Sequence, residues 1–105
     1  MFVILWEFKV KAGSRKRFES VYGPGGAWAK LFARDAAYQG THLFRDTKRA
    51  LVYLTSDTWA SRAAYEEFRL KHRAEYAALD AECAALTSSE RRLGFFETDD
   101  KTPLA

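Results

Sequence analysis

The sequence predicts an α+β domain in the order β-α-β-β-α-β, on three observations. Phe2 to Val10 alternates with period two, the pattern of a half-buried strand. Ser61 to Thr87 contains no Gly or Pro and carries apolar residues at steps of three and four, the stripe of an amphipathic helix. Two β-rich runs are joined by the short polar link Asp46-Thr47-Lys48-Arg49, which reads as a hairpin. The 105 residues suit one domain, and an apolar share of 48% allows a packed core and excludes disorder. The single cysteine, Cys83, excludes an internal disulfide framework and a multi-cysteine metal site.

The elements follow in order. In the first strand Phe2, Ile4, Trp6, Phe8 and Val10 share one face, and Glu7 and Lys9 lie on the other. Lys11-Ala12-Gly13 turns the chain, and Ser14 is a candidate N-cap whose hydroxyl can accept from a first-turn amide. Phe18, Val21 and Tyr22 predict a helix that Gly23-Pro24-Gly25-Gly26 stops. Trp28, Leu31 and Phe32 resume the spacing up to Asp35. A second strand is expected over Tyr38–Thr47 and a third over Ala50–Asp57. The stripe Tyr65, Phe68, His72, Tyr76, Leu79, Cys83 and Leu86 is long for a small domain, so a kink is expected near Lys71–Ala74. The last strand is expected over Arg91–Thr98, which makes residues 1–98 one domain and 99–105 a frayed polar tail. This order is the ferredoxin-like arrangement, an antiparallel four-stranded sheet with helices on one face. Apolar residues on the uncovered face would require a second copy to bury them.

The run from Tyr53 to Tyr65, with Trp59, Ser61, Ala64 and Tyr65 spaced as Trp-x-Ser-x-x-Ala-Tyr, resembles the antibiotic biosynthesis monooxygenase superfamily. Through the element order the likeness spans Phe2 to Thr98. It implies two copies pairing through their sheets into a homodimeric α+β barrel. It also implies a cofactor-independent monooxygenase-like activity on a small aromatic or quinol. In the quinone-forming branch an Asn precedes the Trp by four residues and a Tyr follows it by six; here those places hold Thr55, Trp59 and Tyr65. Thr55 brings a hydroxyl where the branch has an amide, which can both donate and accept. The haem-degrading branch has an Asn on the first strand and a helical His ligand. This chain contains no Asn, Glu7 stands near the first position, and His72 follows Trp59 by thirteen residues. No haem, and no other cofactor, is therefore expected.

On this reading the catalytic candidates are His72, Tyr65 and Thr55. His72 or Tyr65 would handle a phenol's proton, and Thr55 would hydrogen-bond the developing oxyanion. Substrate-binding candidates are Trp59, Tyr53, His42, Trp28 and Phe68. Each has a plainer alternative. Trp59, Tyr65, Tyr53, Trp28 and Phe68 suit core packing. His72, which interrupts an apolar stripe, can simply face water at a kink, and His42 can line an interface. Cys83 reads as a small buried hydrophobe. No metal is expected, because the two histidines and the scattered acids lack ligand spacing such as His-Glu-x-x-His. Gly23-Pro24-Gly25-Gly26 is not a phosphate loop, since no Lys-Ser/Thr follows.

Two other classes stay open: a non-catalytic dimeric small-molecule-binding or regulatory domain, and an RNA-binding ferredoxin-like module. Residues 1–52 carry ten Lys/Arg against four Asp/Glu, a net +6, while residues 53–105 carry −3. The basic half is the support for RNA. The topology interleaves the two halves in one sheet, however, and Leu51 stands where a stacking aromatic is wanted. The expected partners are a second copy and a small aromatic molecule, with no nucleic acid and no membrane. The segment Met1–Trp6 meets Glu7 too soon for a leader or a span, which reads as a cytoplasmic protein.

Overall fold

The computed structural model describes residues 1–99; of the expected tail over 99–105, residues 100–105 lie outside them. Strands β1 (Phe2–Val10), β2 (Tyr38–Arg45), β3 (Val52–Trp59) and β4 (Thr87–Glu97) form one sheet. Its order is β2-β3-β1-β4, with every neighbouring pair antiparallel. Helices α1 (Arg15–Tyr22), α2 (Ala27–Phe32), α3 (Arg62–Lys71) and α4 (Arg73–Cys83) complete the domain, with a 3-10 turn at Ala84–Leu86. This is the ferredoxin-like α+β fold expected from the element order.

The boundaries moved where the chain makes local hydrogen bonds. Asp46 Oδ1 accepts from the amides of Lys48 and Arg49 at 2.8 and 2.9 Å, and Leu51 takes φ 66°. The hairpin loop therefore closes at Leu51, and β3 spans Val52–Trp59 rather than Ala50–Asp57. β2 likewise ends at Arg45, before Asp46. β4 begins at Thr87, not Arg91, because Thr87 already pairs with Val10. Register shifts between Leu5 and Trp6 and between Lys9 and Val10 absorb the extra residues of β4.

The helices end as the sequence implies. His72, at φ −112° and ψ 32°, closes α3 and opens α4, which is the expected kink. Ser61 caps α3 by accepting from the Ala64 amide at 3.1 Å. Ser14 occupies the N-cap of α1, but its side chain makes no capping bond; only its carbonyl is used, accepting from the Phe18 amide at 2.8 Å.

Phe2, Ile4, Phe8 and Val10 of β1 pack with Phe18, Phe32, Phe68 and Trp59 between sheet and helices. Trp59 and Phe68 are both 0% exposed. Cys83 is buried in the same core and free. No helix among the described residues covers the opposite sheet face; Phe44 and Phe96 on it are 40% and 46% exposed.

Gly26 is the tightest point of the α1–α2 connection. A Cβ there would sit 2.2 Å from the Val21 carbonyl oxygen and 2.4 Å from that of Ser20. Both obstacles are backbone, so the chain cannot yield by a rotamer change. Gly26→Ala is expected to destabilise the domain by about 2 kcal/mol or more, read as a lowered urea midpoint. An unchanged midpoint would mean that this close approach is not part of the fold in solution.

Candidate functional site

Period two along β3 puts Tyr53, Thr55, Asp57 and Trp59 on the face turned toward the helices. The outer two are large and engaged. The Tyr53 hydroxyl donates to Glu19 and accepts from Arg15 Nε at 2.9 Å, tying β3 to α1. Trp59 packs on Phe68 and Phe32 at ring-centroid distances of 5.0 and 5.7 Å. The inner two, Thr55 and Asp57, are short and leave space between sheet and helices.

That space is a cleft with Thr41, Thr55 and Asp57 on its floor. Its aromatic walls come from Trp6 and Phe8 of β1, Tyr22 of α1, Trp28 and Phe32 of α2, and Tyr76 of α4. Asp80 of α4 and Glu90 of β4 complete the lining. The cleft measures about 440 Å³ with its open mouth. Trp28 stands edge-on to Tyr76 at 4.8 Å, and Tyr22 lies 4.8 Å from Phe8.

Asp57 is the chemically distinctive group. Thr41 lies directly opposite it on β2, and Thr41 Oγ1 donates to Asp57 Oδ1 at 2.6 Å. Thr41 Oγ1 also lies 2.5 Å from the Tyr38 hydroxyl, so a short hydrogen-bonded chain runs Tyr38–Thr41–Asp57. Burial pushes the Asp57 carboxyl up to about 6, the Thr41 bond opposing this in part. Burial also raises Glu90, with the charge of Asp80 adding to it. The Tyr22 and Tyr76 hydroxyls are raised chiefly by burial and remain neutral in ordinary buffers. Among the described residues no Lys, Arg or His lines the cleft, and no cluster of three or more His, Cys, Asp or Glu could hold a metal ion.

The sequence-derived candidates fall into two groups. Thr55 and Trp28 line the cleft. The other six do not. His72 sits at the α3–α4 junction with a side chain 14% exposed, its Nδ1 2.8 Å from Glu75 Oε2 and its ring 4.8 Å from Phe68. It turns away because the kink places it at a helix end rather than in the stripe. Tyr65 packs on Phe2, Trp59 and Phe95, and its hydroxyl accepts from Arg69 Nη1 at 2.9 Å. Trp59 and Phe68 belong to the core, and Tyr53 to the Arg15–Glu19 network. His42 pairs in register with Ser56 on the uncovered sheet face and stacks on Phe44 at 6.2 Å. Sequence reading missed Asp57, Thr41 and the aromatic wall of Trp6, Phe8, Tyr22, Phe32 and Tyr76. The available signal was Asp57 itself, a carboxylate in period-two register with Tyr53, Thr55 and Trp59.

Fold and cleft together define a ferredoxin-like α+β domain with an aromatic-walled cleft between sheet and helices. No family model and no curated protein matches the sequence, but solved structures do match the fold. SnoaB from Streptomyces nogalater, a cofactor-independent oxygenase studied as its N63A mutant, superposes with a TM-score of 0.72 at 19% identity, covering 98% of this chain and 97% of SnoaB. An antibiotic biosynthesis monooxygenase, so described without proof of activity, from Bordetella bronchiseptica gives 0.70 at 15% identity over 92% and 95% of the two chains. Another of that description from Nitrosomonas europaea gives 0.68 at 10% identity over 95% and 100%. The chain thus has the fold of the antibiotic biosynthesis monooxygenases, in agreement with the resemblance read at Trp59–Tyr65.

The raised Asp57 carboxyl carries a stability consequence. Its folded value lies above its unfolded one, so the folded state favours the protonated form. The resulting stabilisation is complete below the unfolded value and is lost as pH rises through about 6. A shift of this size amounts to about 3 kcal/mol above pH 7. Asp57→Asn keeps a carbonyl acceptor for Thr41 and removes the charge. It is expected to stabilise the protein at pH 8 by ~1–3 kcal/mol, with the gain shrinking as pH falls from 6 toward 4. Urea titrations across that range check this, and a gain independent of pH contradicts it.

Proposed function

We propose that this chain is a cofactor-independent monooxygenase acting on a small phenolic aromatic or quinol bound in the cleft. The observation that carries the reading is Asp57: a carboxyl raised to about 6 on the floor of an aromatic-walled cleft, oriented by Thr41 at 2.6 Å. A raised carboxyl is a better base than an ordinary one and lies nearer working pH. Asp57 takes the phenol proton, Thr55 hydrogen-bonds the developing phenolate oxygen, and the aromatic walls hold the ring. The electron-rich ring then reacts with O2. One oxygen atom forms a new ring C–O bond, the O–O bond breaks, and the other atom leaves as water with the two hydrogens lost by the substrate. A phenol and O2 thus give a quinone and water, and the substrate itself supplies the electrons. His72 and Tyr65, the proton-handling candidates read from the sequence, lie away from the cleft, and Asp57 takes that role here.

We further propose that the working unit is a homodimer. Phe44 and Phe96 stand exposed on the uncovered sheet face, beside the half-buried Leu5 and Leu54. On that face the buried His42 Nδ1, Ser56 Oγ and Thr58 Oγ1 have no hydrogen-bond partner among the described residues, as expected of polar groups completed by a second copy or by water. The outward positions of β1 and β3 are Val3, Leu5, Glu7 and Lys9, and Val52, Leu54, Ser56 and Thr58. They offer no ring for base stacking, which weighs against the RNA reading. No helix among the described residues is long and apolar enough to cross a membrane. The lone free Cys83 suits a reducing compartment, and we place the protein in the cytoplasm.

Oxygen uptake against a panel of phenols and dihydroxy-aromatics tests the activity. Asp57→Asn is expected to lower kcat by about 10²-fold or more, and Thr55→Val by about 10²-fold. Binding of these compounds with no oxygen consumption would leave a non-catalytic binding domain. Sedimentation at micromolar concentration tests the assembly: a dimer is expected, with Phe96→Glu shifting it toward monomer. A wild-type monomer would contradict the dimer proposal.

A further inference from the structure

The cleft's charge is of one sign. Asp57, Asp80 and Glu90 line it, and among the described residues no cation does. The Arg69 guanidinium packs over the Tyr76 ring at 3.8 Å and feels the charge of Asp80, but it is not part of the lining. The carboxylates do not form a group able to hold a metal ion, so a point cation does not answer them. Between them stand the faces and edges of Trp6, Tyr22, Trp28 and Tyr76, rings whose negative faces attract organic cations. Independently, Trp28 is 7% exposed in the cleft wall, and its Nε1 makes no well-formed hydrogen bond among the described residues, only weak contacts with the Tyr22 hydroxyl and the Cys83 thiol. A buried indole N–H left unmade is costly and marks a donor available to an oxygen acceptor.

We infer that the cleft takes a hydroxyaryl amine, a phenolic ring carrying a protonated amino group. The inference rests on the oxygenase reading for the ring chemistry but not for the binding. A phenolate forming among three carboxylates and no protein cation is opposed electrostatically. An ammonium group on the ligand reverses this: it pairs with Asp80 and Glu90, and it favours both the Asp57 carboxylate and the developing phenolate. The cation missing from the wall then arrives with the substrate. A neutral phenol fills the aromatic walls without answering the acids, and an anionic one is repelled.

Three probes of matched shape separate these cases: tyramine, 4-ethylphenol and 3-(4-hydroxyphenyl)propionate. They are titrated at pH 7.5 and low salt by calorimetry and by tryptophan fluorescence, which Trp6 and Trp28 report. Tyramine is expected to bind about tenfold or more tighter than 4-ethylphenol, with the propionate weakest. Added salt narrows the gap. The double variant Asp80→Asn/Glu90→Gln is expected to reduce the tyramine preference to about threefold or less. Tyramine binding no tighter than 4-ethylphenol, including binding by neither, overturns the inference. So does a preference that survives in the double variant. The predicted ranking without oxygen uptake leaves the ligand class standing and removes the oxygenase reading. Oxygen uptake with neutral phenols and no amine preference does the reverse.

Discussion

The inner face of β3 imposes the constraint on which the rest depends. Two large rings, Tyr53 and Trp59, bracket two short polar side chains, Thr55 and Asp57, in strict period-two register. The rings engage the helices at either end, Tyr53 through Arg15 and Glu19, Trp59 through Phe32 and Phe68. The helices therefore cannot collapse onto the sheet between them. The gap becomes a cleft, and its floor is polar because the strand supplies polar residues there. An apolar pair at these positions would have filled the space and completed an ordinary core.

The same arrangement sets the electrostatics. Asp57 is desolvated by the rings that wall the cleft, and Thr41 across the strand pair provides its one identified hydrogen bond. A single hydroxyl does not replace lost hydration for a full charge, so the carboxyl is raised. Glu90, on β4, is raised in the same direction by partial burial, with the charge of Asp80 adding to it. By contrast Asp46 is held down to about 2 by the backbone amides and guanidinium of its own turn. Two aspartates flanking one hairpin thus differ by several units because one is solvated and hydrogen-bonded and the other faces an aromatic cavity.

Much of the fold was legible in the sequence because it depends on periodicity and chain breakers. The alternation of Phe2–Val10, the stop at Gly23–Gly26 and the kink at His72 follow from local rules. The site was less legible. Ending the third strand at Asp57 left that residue at the strand's edge and outside the list of candidates. Only the Asx-type bonding of Asp46, which holds the loop open to Leu51, shifts the strand two residues onward and puts Asp57 inside it. The kink that periodicity did reveal is also what removes His72 from the stripe it interrupts. Large aromatics such as Trp59 and Tyr65 satisfied the core rather than the cleft, whose aromatic wall is assembled from four separate elements that no local pattern joins.

The claim that Asp57 is a desolvated carboxyl on the floor of a ligand cleft is tested most directly by its own titration. Carbon-detected NMR of the Asp57 side-chain carboxyl, assigned by comparison with Asp57→Asn, should give a midpoint of about 6. A midpoint near the ordinary aspartate value of ~4 would mean that the group is hydrated, and the base at the centre of the proposed chemistry would be lost.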